Sequence, residues 1–463
     1  MHNYMLIGFS FEIYQALTST LDKEPTVFLS DSAKDRKKIK DRFNKEPLIP
    51  YFKIQTSQNF KLFNITAGSK EFLDLFEQLL PQQETFKHCT IQYKHSLNKK
   101  LTATVTTSSP EEIENKFYLA CLNAYNTIID HKLSYLIFSD IPHEGCIYAY
   151  YAVAKAMNIP TIICRQSISA DYFYITEDIS SNLNPSITGN NKTYRINFSK
   201  GPIEPKYMYN KKTFCKFPLK ELLEVIVKSL CIFPILKSNS RHRLKLAYSK
   251  YSYQRHYQNN ISKSIDLSKK KYIYFPLHYQ PEMTTNVLGG KYVNQAKAIH
   301  ELRVLLPKEY TIVVKENPIQ DWYMREKSFF KIIGSLPDVT YASLQTSTYE
   351  LTKNAVAVAT VAGTAGFEAL HYKKPVIYFG APWYKFLPGT FDFNSIEDIQ
   401  KVLTFNFSLT RLQATIDQFT TKLYSGFIPQ HHAKHWQKYN LDTNTNAQNI
   451  ATAVTEYIKQ RTN

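Results

Sequence analysis

Short apolar runs alternate with amphipathic stretches near both ends of the chain. In the first part, residues 1–8 and the run Thr26-Val27-Phe28-Leu29-Ser30 read as strands, and the charged run 32–43 reads as a helix. Phe72, Leu73, Phe76, Leu79 and Leu80 recur at helical spacing and predict a helix over 68–80. A helix over 115–131 then precedes the strand Leu133-Ser134-Tyr135-Leu136-Ile137-Phe138. A helix over 144–157 leads to the strand Pro160-Thr161-Ile162-Ile163-Cys164. Strand–helix–strand alternation of this kind predicts a parallel sheet covered by helices. From 167 to 271 the pattern weakens: 180–200 is rich in Ser, Asn and Thr and reads as loop, and only 219–230 has the look of an apolar helix.

Regular alternation returns at 271. Strands are expected at 272–277, 310–315, 339–341, 355–361 and 375–380, with helices over 292–306 and through Arg325 to Ile333. Ser347-Thr348-Tyr349-Glu350 has the spacing of a capping box opening a short helix. The strand ending at Val361 runs straight into Ala362-Gly363-Thr364-Ala365-Gly366-Phe367-Glu368, a helix start. The fold class is therefore α/β, with two Rossmann-like domains. The expected division is 1–167, a basic appendage and linker at 168–270, and 271–463 with a C-terminal helix over 446–459.

Composition narrows the class. Hydrophobic residues make up 43% and charged residues 21%, which excludes a wholly disordered chain of 463 residues. No run of about 18 apolar residues exists, so a transmembrane helix is not expected. The N-terminus lacks a basic lead and a long apolar run, so secretion is not expected either. None of the six cysteines forms a C-x-x-C pair, which argues against a zinc knuckle or a disulfide framework and for reduced, buried thiols. Formal net charge is +18, and fifteen basic residues against three acidic ones sit between 211 and 271. That concentration implies an anionic partner surface. No nucleic-acid recognition motif accompanies it.

Ligands of open α/β sheets bind beyond the carboxyl ends of the strands. In the second half that rule selects the loops 278–282, 315–318, 363–368 and 380–384. Gly363, Thr364, Ala365 and Gly366 permit close backbone approach, and a helix start offers N–H groups to a phosphate. The run is neither a Walker A loop nor G-x-G-x-x-G. Glu368, read as lying in the first helical turn, either holds a ribose or simply complements the helix dipole. Lys315 is a phosphate cation or a solvent-facing strand end. Asn317-Pro318 turns the chain, His278 and Gln280 are polar groups at an apolar strand exit, and Arg325 is a phosphate ligand or an exposed helix residue. In the first half, Asp140, His143 and Glu144 join a strand to a helix and form a candidate general-base site; Asp140 or Glu144 would equally serve as a helix cap.

The words Phe275-Pro276-Leu277-His278-Tyr279-Gln280-Pro281-Glu282, Val314-Lys315-Glu316, Gly363-Thr364-Ala365-Gly366-Phe367-Glu368-Ala369-Leu370 and Lys374-Pro375-Val376-Ile377-Tyr378-Phe379-Gly380 carry a family resemblance. The stretch from Tyr274 through Pro388 resembles the C-terminal half of bacterial capsular and surface-polysaccharide biosynthesis proteins of the GT-B glycosyltransferase type. The Pro142-His143 loop and Ile159-Pro160-Thr161 look like the matching N-terminal half. The resemblance implies two domains facing across a cleft, the C-terminal helix crossing back to the first, with a nucleotide-sugar donor on the second and a saccharide or lipid-linked glycan acceptor on the first. It implies a metal-independent transferase without a cofactor, working at the inner face of the cytoplasmic membrane. Capsule enzymes of this kind handle acidic sugars activated as cytidine monophosphates, so a CMP-sugar is the expected donor. The rival readings are a polyol-phosphate transferase of the same fold and a non-catalytic assembly or export protein. Two departures stand out: the family usually carries His-Pro where this chain has Asn317-Pro318, and the E-x7-E spacing of many retaining enzymes fails, since Val376 occupies the second position.

Overall fold

The computed structural model describes residues 3–21, 25–30, 33–44, 68–97, 110–169, 171–180, 189, 194–198, 219–229, 234–260, 270–320, 325, 327–428 and 442–462. The chain forms two compact units. Of the described residues, those up to 97, from 110 to 196 and from 413 onward form one, and those from 197 to 412 the other.

The first unit is built on the sheet order β12-β5-β4-β3-β1-β2. Its strands are β1 (Asn3–Ile7), β2 (Val27–Leu29), β3 (Leu133–Phe138), β4 (Thr161–Gln166), β5 (Tyr172–Thr176) and β12 (Tyr424–Ser425). Strands β2, β1, β3 and β4 run parallel, while at the edge β5 pairs antiparallel with β4 and β12 antiparallel with β5. The switch in strand order falls between β1 and β3. There Gly8 turns the chain at a φ of 80°, and a Cβ on it would meet the Ser139 hydroxyl at 2.5 Å. Tyr14 and Leu17 of helix Phe11–Thr20 share a core with Ile450, Val454 and Tyr457 of helix Thr443–Thr462.

The second unit has the order β11-β10-β9-β6-β7-β8. Its strands are β6 (Lys271–Pro276), β7 (Tyr310–Lys315), β8 (Val339–Ala342), β9 (Ala357–Thr360), β10 (Val376–Tyr378) and β11 (Thr390–Asp392). All pair in parallel. Counted from β6, this is the doubly wound order 3-2-1-4-5-6, with its switch point between β6 and β9. Strand β7 is buried along its whole length, as a central parallel strand requires. The expected α/β class with two Rossmann-like units is borne out.

The expected boundaries at 167 and 270 are corrected. Residues 172–176 form β5 of the first sheet, because Phe173, Tyr174 and Ile175 bury their side chains there. Helix Pro234–Asn260, read from sequence only as a basic, Tyr-rich stretch, lays Tyr253 and Tyr257 into the second unit's core, so it belongs to that domain and is no linker. Ser347 caps the short helix as its spacing predicts, accepting from the Glu350 amide at 3.3 Å, but the Glu350 carboxylate accepts from Asn354 and does not close the box. Cys89, Cys121, Cys146 and Cys164 are free and buried, while Cys215 and Cys231 lie outside the described residues. No described helix is long and apolar enough to cross a membrane.

A buried polar network braces the strand exits of the second unit. Arg325 donates from Nε to Glu316 at 3.0 Å, from Nη1 to Gln280 Oε1 at 2.6 Å and from Nη2 to the His278 carbonyl at 2.8 Å. Tyr341 of β8 adds its hydroxyl to Glu316 at 3.1 Å, and Gln295 bonds both Gln280 and the His278 backbone. Both charged side chains are sealed from solvent. Removing one partner of such a pair leaves an uncompensated buried charge. Arg325→Ala is therefore expected to lower stability by about 3–5 kcal/mol in urea unfolding. The double change Glu316→Leu with Arg325→Leu should cost less than the single one. A loss under about 1 kcal/mol for Arg325→Ala would contradict the bracing role.

Candidate active site

The switch point of the second sheet opens into a pocket of about 780 Å³ of empty space, its mouth included. It lies where the rule for open α/β sheets places a ligand. His278, Lys315, Asn317, Gly363, Thr364, Ala365 and Glu368, all expected from sequence, line it together. Gln280, Arg325 and Gly366 do not.

Helix Thr364–His371 starts at this pocket with Gly363 as its N-cap and no side-chain cap. Two features keep that start in place. His278 sits beneath it, and a Cβ on Gly363 would meet the His278 ring at 2.6 Å. Tyr384 reaches in from the 380–384 loop, donates its hydroxyl to the Gly363 carbonyl and accepts from the Gly366 and Phe367 amides. A Cβ on Gly366 would strike that hydroxyl at 2.2 Å, so glycine is needed there to admit the tyrosine. The amides of Thr364 and Ala365, the first two of the helix, have no intrahelical partner and point along the positive end of the helix dipole. Such a start accepts an anion.

Lys315, at the end of β7, is 3% exposed and donates to the Thr348 hydroxyl at 2.8 Å. Burial pulls its ammonium down to about 8. Glu368 lies in the second turn of the helix, not the first as the sequence reading had it. Burial pushes its carboxyl up to about 7. Lys315 and Glu368 form no ion pair with each other or with any other described residue. The pocket thus holds a desolvated cation, Lys315, and a desolvated acid, Glu368, neither with an ion partner, and burial also pushes up the carboxyl of Glu282 in the same lining.

His278 is neutral. Burial, with the nearby Arg325 charge, holds its ring down to about 3. Its Nδ1 lies 3.0 Å from the Thr285 hydroxyl and its Nε2 2.7 Å from that of Thr360. It supports the loop and brings no charge to an anion. Gln280 and Arg325 are spent in the buried network. The reading of Arg325 as a phosphate ligand is corrected, and so is its reading as an exposed helix residue, because Glu316 holds it inside. Asn317 Oδ1 accepts from the Ile319 amide at 3.0 Å and shapes the turn after β7. Thr348, Tyr349, Tyr274 and Tyr384 were not singled out from sequence. Of these Thr348 carried a signal, as the first helical residue after the capping serine, and Tyr384 another, as the end of the selected 380–384 loop.

In the first unit, Asp140, His143 and Glu144 follow β3 at that sheet's own switch point. Asp140 accepts from the Ile141 amide at 2.7 Å, and His143 Nδ1 lies 2.6 Å from the Ile141 carbonyl. A carbonyl only accepts, so Nδ1 carries a proton, and in the neutral ring Nε2 is then the lone-pair nitrogen. Glu144 takes the N-cap position of helix Gly145–Ala156 without a side-chain cap bond.

The sequence model of a family described as capsule polysaccharide biosynthesis protein matches residues 234–424. All four words that carried the resemblance fall inside this stretch, so the resemblance is borne out there. No curated protein matches the sequence. Among solved structures the chain is similar to the beta Kdo 2,7 transferase of Thermosulfurimonas dismutans KpsC, at 13% identity over 78% of this chain and 95% of that one, with a TM-score of 0.29. It is similar also to the beta Kdo 2,4 transferase of the same protein, at 12% identity over 66% and 88%, TM-score 0.29. A third is the glycosyltransferase SnogD from Streptomyces nogalater, at 10% identity over 96% and 100%, TM-score 0.22. Scores this low leave the fold to be read from the two sheets themselves.

The shift of Glu368 has a signed consequence. Between its ordinary 4.5 and about 7 the folded protein keeps a proton that the unfolded chain releases. Its contribution to stability is therefore full below pH 4.5 and is lost as pH rises through 7. The melting temperature of Glu368→Gln should fall less steeply across that window than that of the unsubstituted protein. Identical slopes, or a carboxyl carbon resonance of Glu368 titrating near 4.5, would contradict the buried setting.

Proposed function

We propose that the protein is a GT-B-type glycosyltransferase of capsule or other surface-polysaccharide synthesis, with a nucleotide-sugar donor on the second unit and a saccharide or lipid-linked glycan acceptor on the first. The observation that carries the reading is the uncapped start of helix Thr364–His371 beside desolvated Lys315 and Glu368, at a doubly wound switch point. The family match over the same residues supports it.

In this reading the Thr364 and Ala365 amides and Lys315 take the donor phosphate, and Glu368 takes the ribose hydroxyls. His143 Nε2, with Asp140 in the same loop, removes the acceptor hydroxyl proton. The acceptor oxygen then bonds to the anomeric carbon as the bond from that carbon to the phosphate oxygen breaks. The electron pair stays on the phosphate, where amides and ammonium stabilise it as the charge develops. These groups give the leaving phosphate its stabilisation without calling on a metal ion. Since His278 is neutral and Arg325 is paired, Lys315 is the one cation among the described lining residues. One cation and a helix start suit a monophosphate, which favours a CMP-sugar over a diphosphate donor. The basic stretch 211–271, of which 211–218, 230–233 and 261–269 lie outside the described residues, is the proposed contact with an anionic membrane surface. Vesicle cosedimentation indifferent to anionic lipid and to salt would remove that contact.

Thermal shifts with CMP, CDP, UDP and GDP at matched concentrations test the donor. At about 100 times the dissociation constant a ligand adds about 2.7 kcal/mol. CMP should give the largest shift. A large shift with UDP and none with CMP would overturn the monophosphate choice alone, and no shift with any nucleotide would favour an assembly or export role. Lys315→Ala and Glu368→Ala should each abolish most transfer while remaining folded, and transfer should survive excess EDTA. Near-unchanged rates in both folded variants would remove the site assignment, and activity lost to EDTA and restored by Mg²⁺ would remove metal independence.

A further inference from the structure

Three arginines with described side chains are more than nine-tenths buried: Arg165, Arg303 and Arg325. Two of them are saturated. Arg303 donates to the carbonyls of Tyr310, Leu306 and Pro307, the last two at 2.6 and 2.8 Å. Arg325 has Glu316, Gln280 and the His278 carbonyl. Arg165, at 5% exposure, is different in kind. It lies over the Tyr174 ring at 5.4 Å, shares a bond with that phenol, and reaches one backbone carbonyl, that of Ile179, at the long distance of 3.5 Å. No described carboxylate pairs with it. A guanidinium has five N–H donors and a permanent charge, and burying it without an anion is costly.

Its place in the fold gives that cost a use. Arg165 is near the carboxyl end of β4, the strand beside β3, whose exit loop carries Asp140 and His143. Parallel pairing aligns Phe138 with Ile163, so Arg165 lies two residues past the last β3–β4 pair, at the end of the sheet where the loop carrying Asp140 begins. The Asp140 charge acts on Cys164 and, with Arg165, on the Tyr174 phenol. Yet Asp140 spends an oxygen on the Ile141 amide and makes no ion pair with the arginine. A planar fork kept unpaired next to the candidate base is a receptor for a planar or tetrahedral anion.

We infer that Arg165 recognises an anionic group, a carboxylate or a phosphate, on the saccharide acceptor. The inference rests on the reading of the first unit as the acceptor-binding one, and it narrows the acceptor to acidic or phosphorylated glycans. Sugar hydroxyls alone would leave the buried charge uncompensated.

The test is calorimetric titration of the full chain with methyl glucuronide, glucose 1-phosphate and methyl glucoside. One or both anionic probes should bind and the neutral one should not, and the stronger of the two tells carboxylate from phosphate. Arg165→Gln should weaken anionic binding by at least about tenfold, and Arg165→Lys, which keeps the charge but loses the fork, should weaken it less. CMP binding should be unchanged in both variants, and Lys315→Ala should keep the anionic response, which separates this site from the donor pocket. If nucleotides fail to bind while the Arg165 dependence holds, the donor reading falls and this one stands. Equal binding of neutral and anionic probes, or a folded Arg165→Gln protein with unchanged affinity, overturns the inference. Should Arg165→Gln not fold, unchanged affinity in Arg165→Lys overturns it as well.

Discussion

The ion pair between Glu316 and Arg325 ties together the exits of neighbouring strands that would otherwise be independent loops. Glu316 follows β7, the arginine's other bonds go to His278 and Gln280 after β6, and the Tyr341 hydroxyl joins from β8. Neither charge touches solvent, so the pair holds its geometry only while every partner is in place. What it fixes is the floor of the pocket. His278 is set by that floor and meets Thr360 at the end of β9, and the helix start carrying Thr364 and Ala365 rests on His278.

On that floor the remaining chemistry is sparse and poorly solvated. Lys315 and Glu368 each sit far from their ordinary proton affinity because of burial. Structural residues in a settled core are normally paired. Here a cation and an acid are held apart in one pocket beside the open end of a helix dipole. An anion for Lys315 and the helix, and hydroxyls for Glu368, would relieve both at once, and a nucleotide carries both groups. The first unit repeats the logic with different residues: His143 presents a bare Nε2, and Arg165 waits without an anion.

Much of this was legible before the structure. The strand-exit rule picked out Lys315, Gly363, Thr364 and Glu368, because a polar residue ending an apolar run and a glycine pair opening a helix are local signals. The domain class followed from alternation alone. What escaped depended on contacts distant in sequence. Arg325 looked exposed because nothing nearby announces that Glu316, nine residues earlier, will pull it inside. Tyr384 was within a selected loop, but its capping of the helix start needs the tertiary approach that Gly366 permits. Strand β5 was lost where the alternation weakens after residue 167, and Arg165 gave no sign, since an arginine near a strand end reads as surface until its burial is known.

The central claim is that the helix start at Gly363 to Ala365 is a phosphate site. Hydrogen–deuterium exchange of the full chain with and without saturating CMP measures this directly. The account predicts slowed exchange concentrated at residues 360–368 and in the β6 exit around His278, with little change in the first unit. Unchanged exchange at 360–368 under saturating nucleotide, or protection confined to the first unit, would contradict it.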